Sequence, residues 1–158
     1  MRKGFPSVVC ALVLFTAMKP CLSTAADTAS TESLCRLIVV LEDFRNDTGQ
    51  AAISVFNHPR GFPDNPRHAF LSQLLPIRDG KARAVFESIP YGRYAIGVLH
   101  DENGNQRMDK SFFGFPREGF GVSGTGHTFR STPRFEDALM EITSPTLRLK
   151  ITLHYLRK

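Results

Sequence analysis

Leu147-Arg148-Leu149-Lys150-Ile151-Thr152-Leu153 alternates apolar and polar side chains without a break. A period of two places every leucine and isoleucine of this stretch on one face, which predicts a half-buried β-strand. The same period recurs upstream. Leu34–Leu41 puts Leu37, Val39 and Leu41 on one face, and Ala51–Phe56, Ala82–Phe86 and Tyr94–Leu99 follow the same rule with β-forming residues. Turn signals separate these runs. Asn46-Asp47-Thr48-Gly49 stands between the first two, which predicts a hairpin of Leu34–Leu41 with Ala51–Phe56, and Asp79-Gly80 precedes Ala82–Phe86.

The remaining segments are less regular. Asn57 to Pro66 carries Pro59, Pro63 and Pro66 and reads as a loop or irregular edge. Phe70, Leu71, Leu74 and Leu75 permit a helical turn over Ala69–Leu75, and Phe135–Thr143 fits a strand or a short helix. Asn103 to Arg134 is rich in glycine and phenylalanine and forms the longest irregular region. Pro90-Tyr91-Gly92-Arg93-Tyr94-Ala95 delivers the chain into a strand whose early Tyr94 can bond back to the main chain, as in the tyrosine corner of sandwich domains. About seven short strands without a repeating βα pattern predict an all-β fold. The expected architecture is an antiparallel β-sandwich of immunoglobulin-like or transthyretin-like build, with a long Gly/Phe-rich loop.

Ahead of this domain, Met1-Arg2-Lys3 is basic and Val8 to Met18 is apolar, too short for a spanning helix of about 20 residues. Ser23-Thr24-Ala25-Ala26 offers the small residues that signal peptidase accepts. The expected organisation is a signal peptide over 1–26, a flexible lead-in over 27–33 and one domain over 34–156. The chain is therefore expected in the periplasm or secreted. Cys10 and Cys21 leave with the leader, so Cys35 remains without an internal disulfide partner and is expected in the core. Loss of Arg2, Lys3 and Lys19 takes the net charge from +5 to about +2. No basic stretch survives to suggest nucleic acid, and no transmembrane segment is expected in the mature chain.

The segment richest in chemistry is His100-Asp101-Glu102-Asn103-Gly104-Asn105-Gln106-Arg107-Met108-Asp109. Asp101, Asn103, Asn105 and Asp109 set side-chain oxygens at relative positions 1, 3, 5 and 9, and the carbonyl of Arg107 would supply position 7. Calcium takes six to eight oxygens, and a tight loop with this spacing can gather them. A helical EF-hand is excluded, because Gln106 stands where glycine is required and Phe112 where a bidentate glutamate is required. Two carboxylates without a glutamate clamp imply a weak calcium site, of the order of 10⁻⁴ to 10⁻³ M. The alternative is a structural turn, since Asn-Gly is a preferred turn and Asp and Asn cap turns through backbone bonds. His100, Glu102, Glu118, Glu136 and Asp137 are possible accessory groups. Glu136 and Asp137 could join this loop or bond amides of the Gly-rich segment.

Pro90–Ala95, His100–Asn105, Phe112–Gly121 and Phe135–Ala138 follow one another in an order that resembles the bacterial DUF2141 family. The resemblance runs from about Leu34 to Tyr155. It implies an exported bacterial protein and one domain of these limits; the family's function is unknown. The family's acidic loop has glycine where this chain has Gln106. The loop is also similar, more loosely, to the Asp-x-Asn-x-Asn stretches of calcium-stabilised adhesin sandwich domains.

Phe112, Phe113, Phe115 and Phe120 interleave with glycines. They are expected to fold over the sheet edge as a small core of their own, or else to form a platform for a protein or glycan partner of the envelope or extracellular space. Zinc-spaced His/Cys clusters, a phosphate-binding loop and a complete Gly-x-Ser-x-Gly elbow are all missing from the sequence; position 125 is Thr. The expectation is therefore an exported, non-catalytic binding or accessory module. Its alternative is a small periplasmic hydrolase or metal-dependent enzyme using His100, Asp101 and His127, if loops bring them together.

Overall fold

The computed structural model describes residues 33–124 and 132–156. The expected leader, all but the last residue of the lead-in, and His127 lie outside the described residues. Among the described residues, eight strands form two sheets. β1 (Leu34–Glu42) is the centre of a three-stranded sheet in the order β4-β1-β8, where β4 is Ala82–Pro90 and β8 is Thr146–Thr152. The five-stranded sheet runs β3 (Leu71–Leu75), β2 (Gln50–Phe56), β5 (Gly92–Asp101), β6 (Phe120–Val122), and β7 (Met140–Ile142) pairs with the start of β5. The fold is an all-β sandwich, as the alternation predicts.

Period two is what fills the core. Leu37, Val39 and Leu41 of β1, Ala51, Ile53 and Val55 of β2, Ala84 and Phe86 of β4, and Tyr94, Ile96 and Val98 of β5 belong to one buried cluster with Ile151 and Leu153. Burying a side chain such as Leu37 stabilises the sandwich by about 1.5–3 kcal/mol. Cys35 is fully buried with them as a free thiol. Tyr94 forms the anticipated corner: its hydroxyl donates to the Pro90 carbonyl at 2.9 Å.

Two local expectations, a hairpin of the first two strands and a helical turn over Ala69–Leu75, are corrected. β1 and β2 do not form a hairpin; they lie in different sheets. The turn between them is tied elsewhere, because the Asp47 carboxylate accepts the N–H groups of Asp79 and Gly80 at 2.9 Å each. The Phe44 N–H is also drawn to the Gly80 carbonyl. Leu71–Leu75 is a strand, with Leu71 and Leu75 packed on the core and Leu74 turned out. The pairing of β8 with β1 is parallel, from Arg36 opposite Thr146 to Glu42 opposite Thr152. The segment at Phe135 divides into both expected forms: a single helical turn, α1 (Phe135–Ala138), and then β7.

β5 positions the rest of the molecule. Both of its faces are buried. Tyr94, Ile96 and Val98 face the core, while Ala95 packs in a second cluster with Val122, Ala138, Phe62 and Phe135. A Cβ on Gly97 would collide with the Pro63 carbonyl, so this glycine lets the proline-rich loop lie directly on the sheet.

Candidate functional site: the loop end beyond β5

β5 ends in His100 and Asp101, both fully buried. His100 Nε2 lies 2.9 Å from the Thr48 carbonyl, an acceptor only, so that nitrogen carries a proton. In the neutral ring Nδ1 then accepts from the Tyr155 hydroxyl at 2.7 Å. Phe44 packs edge-on against the imidazole, 5.1 Å between centroids. The two ring nitrogens thus tie the end of β5 to two distant segments, the turn at Thr48 and the stretch at Tyr155.

The Asp101 carboxylate accepts three hydrogen bonds: Asn105 N–H at 3.0 Å, Gln106 N–H at 3.0 Å and Gln50 Nε2 at 2.8 Å. Two of these curl the loop over its own start. Asn103 Oδ1 accepts from Asn105 N–H and Asn105 Oδ1 accepts from Arg107 N–H, so the side chains at relative positions 1, 3 and 5 each cap a turn. The carboxamide nitrogens of Asn103 and Asn105 both donate to the Asp109 carboxylate, at 2.8 and 3.0 Å. Gln106 takes φ 58°. The tight turn forms with glutamine at this position, at the cost of placing a side chain in the left-handed region.

Glu118, 4% exposed, staples the loop shut. One of its carboxylate oxygens accepts from Glu102 N–H and the other from Asp109 N–H, each at 3.0 Å. Glu102 turns outward to a two-pronged bond with Arg45, at 2.6 and 2.5 Å. Those hydrogen bonds hold the Glu102 carboxyl below the usual carboxylate range and raise Arg45. The Arg45 guanidinium also lies over the Tyr155 ring, 4.9 Å from its centroid.

Beyond the acidic loop, the chain makes a small hairpin over 109–117. Arg117 N–H bonds the Asp109 carbonyl, Lys110 bridges to Pro116, and Ser111 N–H bonds the Phe115 carbonyl. Gly114 N–H returns to the Ser111 carbonyl, with Gly114 at φ 81°. Phe112 and Phe113 are the two tip residues, 98% and 81% exposed. Phe115 is 62% exposed, and Phe120 alone of the four is buried, in β6. The expectation that these rings form a small core of their own is therefore corrected: turn geometry at Ser111–Gly114 holds two of them away from the body.

Between this hairpin and the proline-rich loop lies an open cleft of about 230 Å³, lined mainly by Pro63, Leu99, Met108, Phe115, Phe120 and Val122. Lys110 from one wall approaches Asp64 of the other to 3.9 Å across its mouth.

The match that places this sandwich covers residues 39–150 and is to the family described as an uncharacterised protein conserved in bacteria, DUF2141. The chain belongs to DUF2141. No curated protein and no solved structure matches it. In this DUF2141 domain, the structure brings together His100, Asp101, Glu102, Asn103, Asn105, Asp109 and Glu118. Glu136 and Asp137 sit instead in α1, which packs beside Ala95; the strand between Ala95 and Asp101 spans about 20 Å. Glu136 pairs with Arg134 at 3.7 Å. Among the described residues no group of three His, Cys, Asp or Glu side chains is spaced to hold a metal ion.

Thr48, Gln50, Arg45 and Tyr155 complete the loop end yet carried no local signal, because they join it across 51 to 57 residues of sequence. The walls of the cleft were hidden for the same reason.

Proposed function

We propose that this DUF2141 domain is an exported, non-catalytic binding module that takes a small apolar group in the cleft between the proline-rich loop and the 109–117 hairpin. The observation that carries this reading is the cleft itself: an open apolar recess beside β5, with Asp64 and Lys110 at its mouth. Its size suits a single ring or a short aliphatic segment, below the range of drug-sized pockets. His100 and Asp101 support the non-catalytic part, since every ring nitrogen and carboxylate oxygen they own is engaged by the fold. The leader motif of the sequence supports export. The test is a titration with a phenol-sized aromatic and a short fatty acid, followed by methyl NMR. Saturable shifts confined to Leu99, Met108 and Val122, and lost in Met108→Arg, are expected. Shifts spread over the surface, or none, would end the reading.

A second reading rests on one convergence: Asn103 and Asn105 both reach the Asp109 carboxylate, above the bonds that Asp101 makes to the same turn. A calcium ion there would take the place of the two amide hydrogens, each carboxamide turning its oxygen from the backbone N–H it now accepts toward the ion. Millimolar calcium then raises Tm in the unmutated protein and leaves Asp109→Ala unmoved. An unchanged Tm in the unmutated protein disposes of the ion.

A further inference from the structure

We infer that the tip of the 109–117 hairpin docks onto an anionic lipid surface through Phe112 and Phe113. The inference goes beyond the cleft reading and does not depend on it.

Phe112 and Phe113 occupy the two middle positions of the turn closed by Gly114 N–H on the Ser111 carbonyl at 2.9 Å. These positions favour polar residues or proline, so local turn chemistry gives no reason for two phenylalanines. The hairpin is fixed by main-chain bonds at Ser111–Phe115 and Asp109–Arg117, and the Ser111 hydroxyl accepts Phe115 N–H. The rings are thus held out by a bonded scaffold. They contact one another edge to face, 5.5 Å between centroids.

The charges around them are sorted. Arg107, Lys110 and Arg117 are exposed. The carboxylates of the same segment, Asp109 and Glu118, are engaged by hydrogen-bond donors of the loop, two each. Asp64 lies 3.9 Å from Lys110, and an exposed pair at that distance holds the lysine weakly. An apolar tip on a hairpin that also carries exposed cations is the pattern that anchors proteins at anionic interfaces, where the aromatic rings enter the headgroup region and the cations meet lipid phosphates.

The size of the tip also selects the occupant. Two phenylalanines bury about 150–250 Å² each, well short of the roughly 800 Å² per partner of a stable protein interface. A convex tip of that area needs a matching pocket in a protein, whereas a fluid interface accepts it without one.

The chain contains no tryptophan, so Phe113→Trp installs a single reporter. Co-sedimentation of the purified full chain with phosphatidylglycerol-rich vesicles is compared with that of Phe112→Ser/Phe113→Ser. The substitutions lie at exposed positions, and an unchanged Tm certifies the variant's fold. The double variant is expected to partition at least about tenfold less. Phosphatidylcholine vesicles should hold the unmutated chain more weakly, and Lys110→Ala/Arg117→Ala should narrow that lipid preference. The indole emission of Phe113→Trp should shift to the blue on vesicle addition. Equal sedimentation of the unmutated and double-variant chains would overturn the inference, since any contribution of residues 1–26 is common to both. So would unshifted indole emission, including a case in which the tip binds a protein and ignores vesicles.

Discussion

The Tyr155 hydroxyl stands 2.7 Å from His100 Nδ1 and accepts the Arg45 N–H at 3.1 Å, so one oxygen fastens the end of β5 to the turn after β1. Burial pushes the phenol above its ordinary pKa, so the group stays a donor to the imidazole through neutral pH. Tyr155→Phe keeps the ring under Arg45 and removes the oxygen. It strands His100 Nδ1, in a side chain with no solvent exposure, and one backbone N–H. The expected cost is about 1–3 kcal/mol, read as a lowered urea midpoint with an unchanged m-value. A loss below about 0.5 kcal/mol would mean that the hydroxyl fastens nothing.

Asp101 and Glu118 work on the same loop from beneath, whereas Asp109 works from above. Asp101 accepts three hydrogen bonds in a fully buried site, and Glu118 closes both ends of the loop. Replacing either carboxylate by its amide turns an N–H₂ toward a bound N–H. Asp101→Asn and Glu118→Gln should each cost about 2–4 kcal/mol, within the range for buried charged hydrogen bonds left unmade. Asp109→Asn, at the loop's exposed side, should cost under about 1 kcal/mol. Equal effects at all three positions would mean that burial does not set their importance.

Acidification should weaken the fold in two stages. Burial lowers the His154 pKa from its ordinary 6.5, so the folded state takes up its proton later than the unfolded chain. Its contribution is complete above about pH 6.5 and is lost as pH falls toward the folded value. Hydrogen bonds from Arg45 lower Glu102 from 4.5, so its contribution is complete above about pH 4.5 and is lost as pH falls through the folded value. Urea midpoints measured between about pH 8 and pH 3 should decline in both windows, and Glu102→Gln should flatten the lower one. A lower stage of undiminished size in that variant would place it on other carboxylates.

The sandwich was legible because Leu37, Val39, Leu41 and Leu147–Leu153 alternate, and Tyr94 announced its corner with Pro90. Alternation reports which face a residue takes and says nothing of its neighbour strand. Hence β1 could be read as the partner of β2, when Asp47 ties their connecting turn to Asp79 and Gly80. Leu71, Leu74 and Leu75 suit a helix face and a strand equally by spacing; the Gln73 bond to the Val85 carbonyl at 2.8 Å shows the strand's side chain spanning to β4. The acidic loop was legible by its Asp and Asn spacing. What holds it shut was only half visible, since Glu118 is local but Gln50, Arg45 and Tyr155 are not.

Gln106 offers the sharpest test of the loop's backbone. It sits at φ 58°, where a Cβ costs about 1–2 kcal/mol and glycine is free of that penalty. Its N–H must stay in place to reach Asp101 at 3.0 Å, so the fold holds the conformation regardless of the side chain. Gln106→Gly keeps that N–H and removes the Cβ. The gain is offset in part by the greater freedom of glycine in the unfolded chain, leaving an expected stabilisation of about 0.5–1 kcal/mol. Gln106→Val, branched at Cβ, should destabilise by more than that. Thermal and urea unfolding of the two variants read opposite signs if the left-handed turn is real, and the same sign if the loop relaxes to another shape.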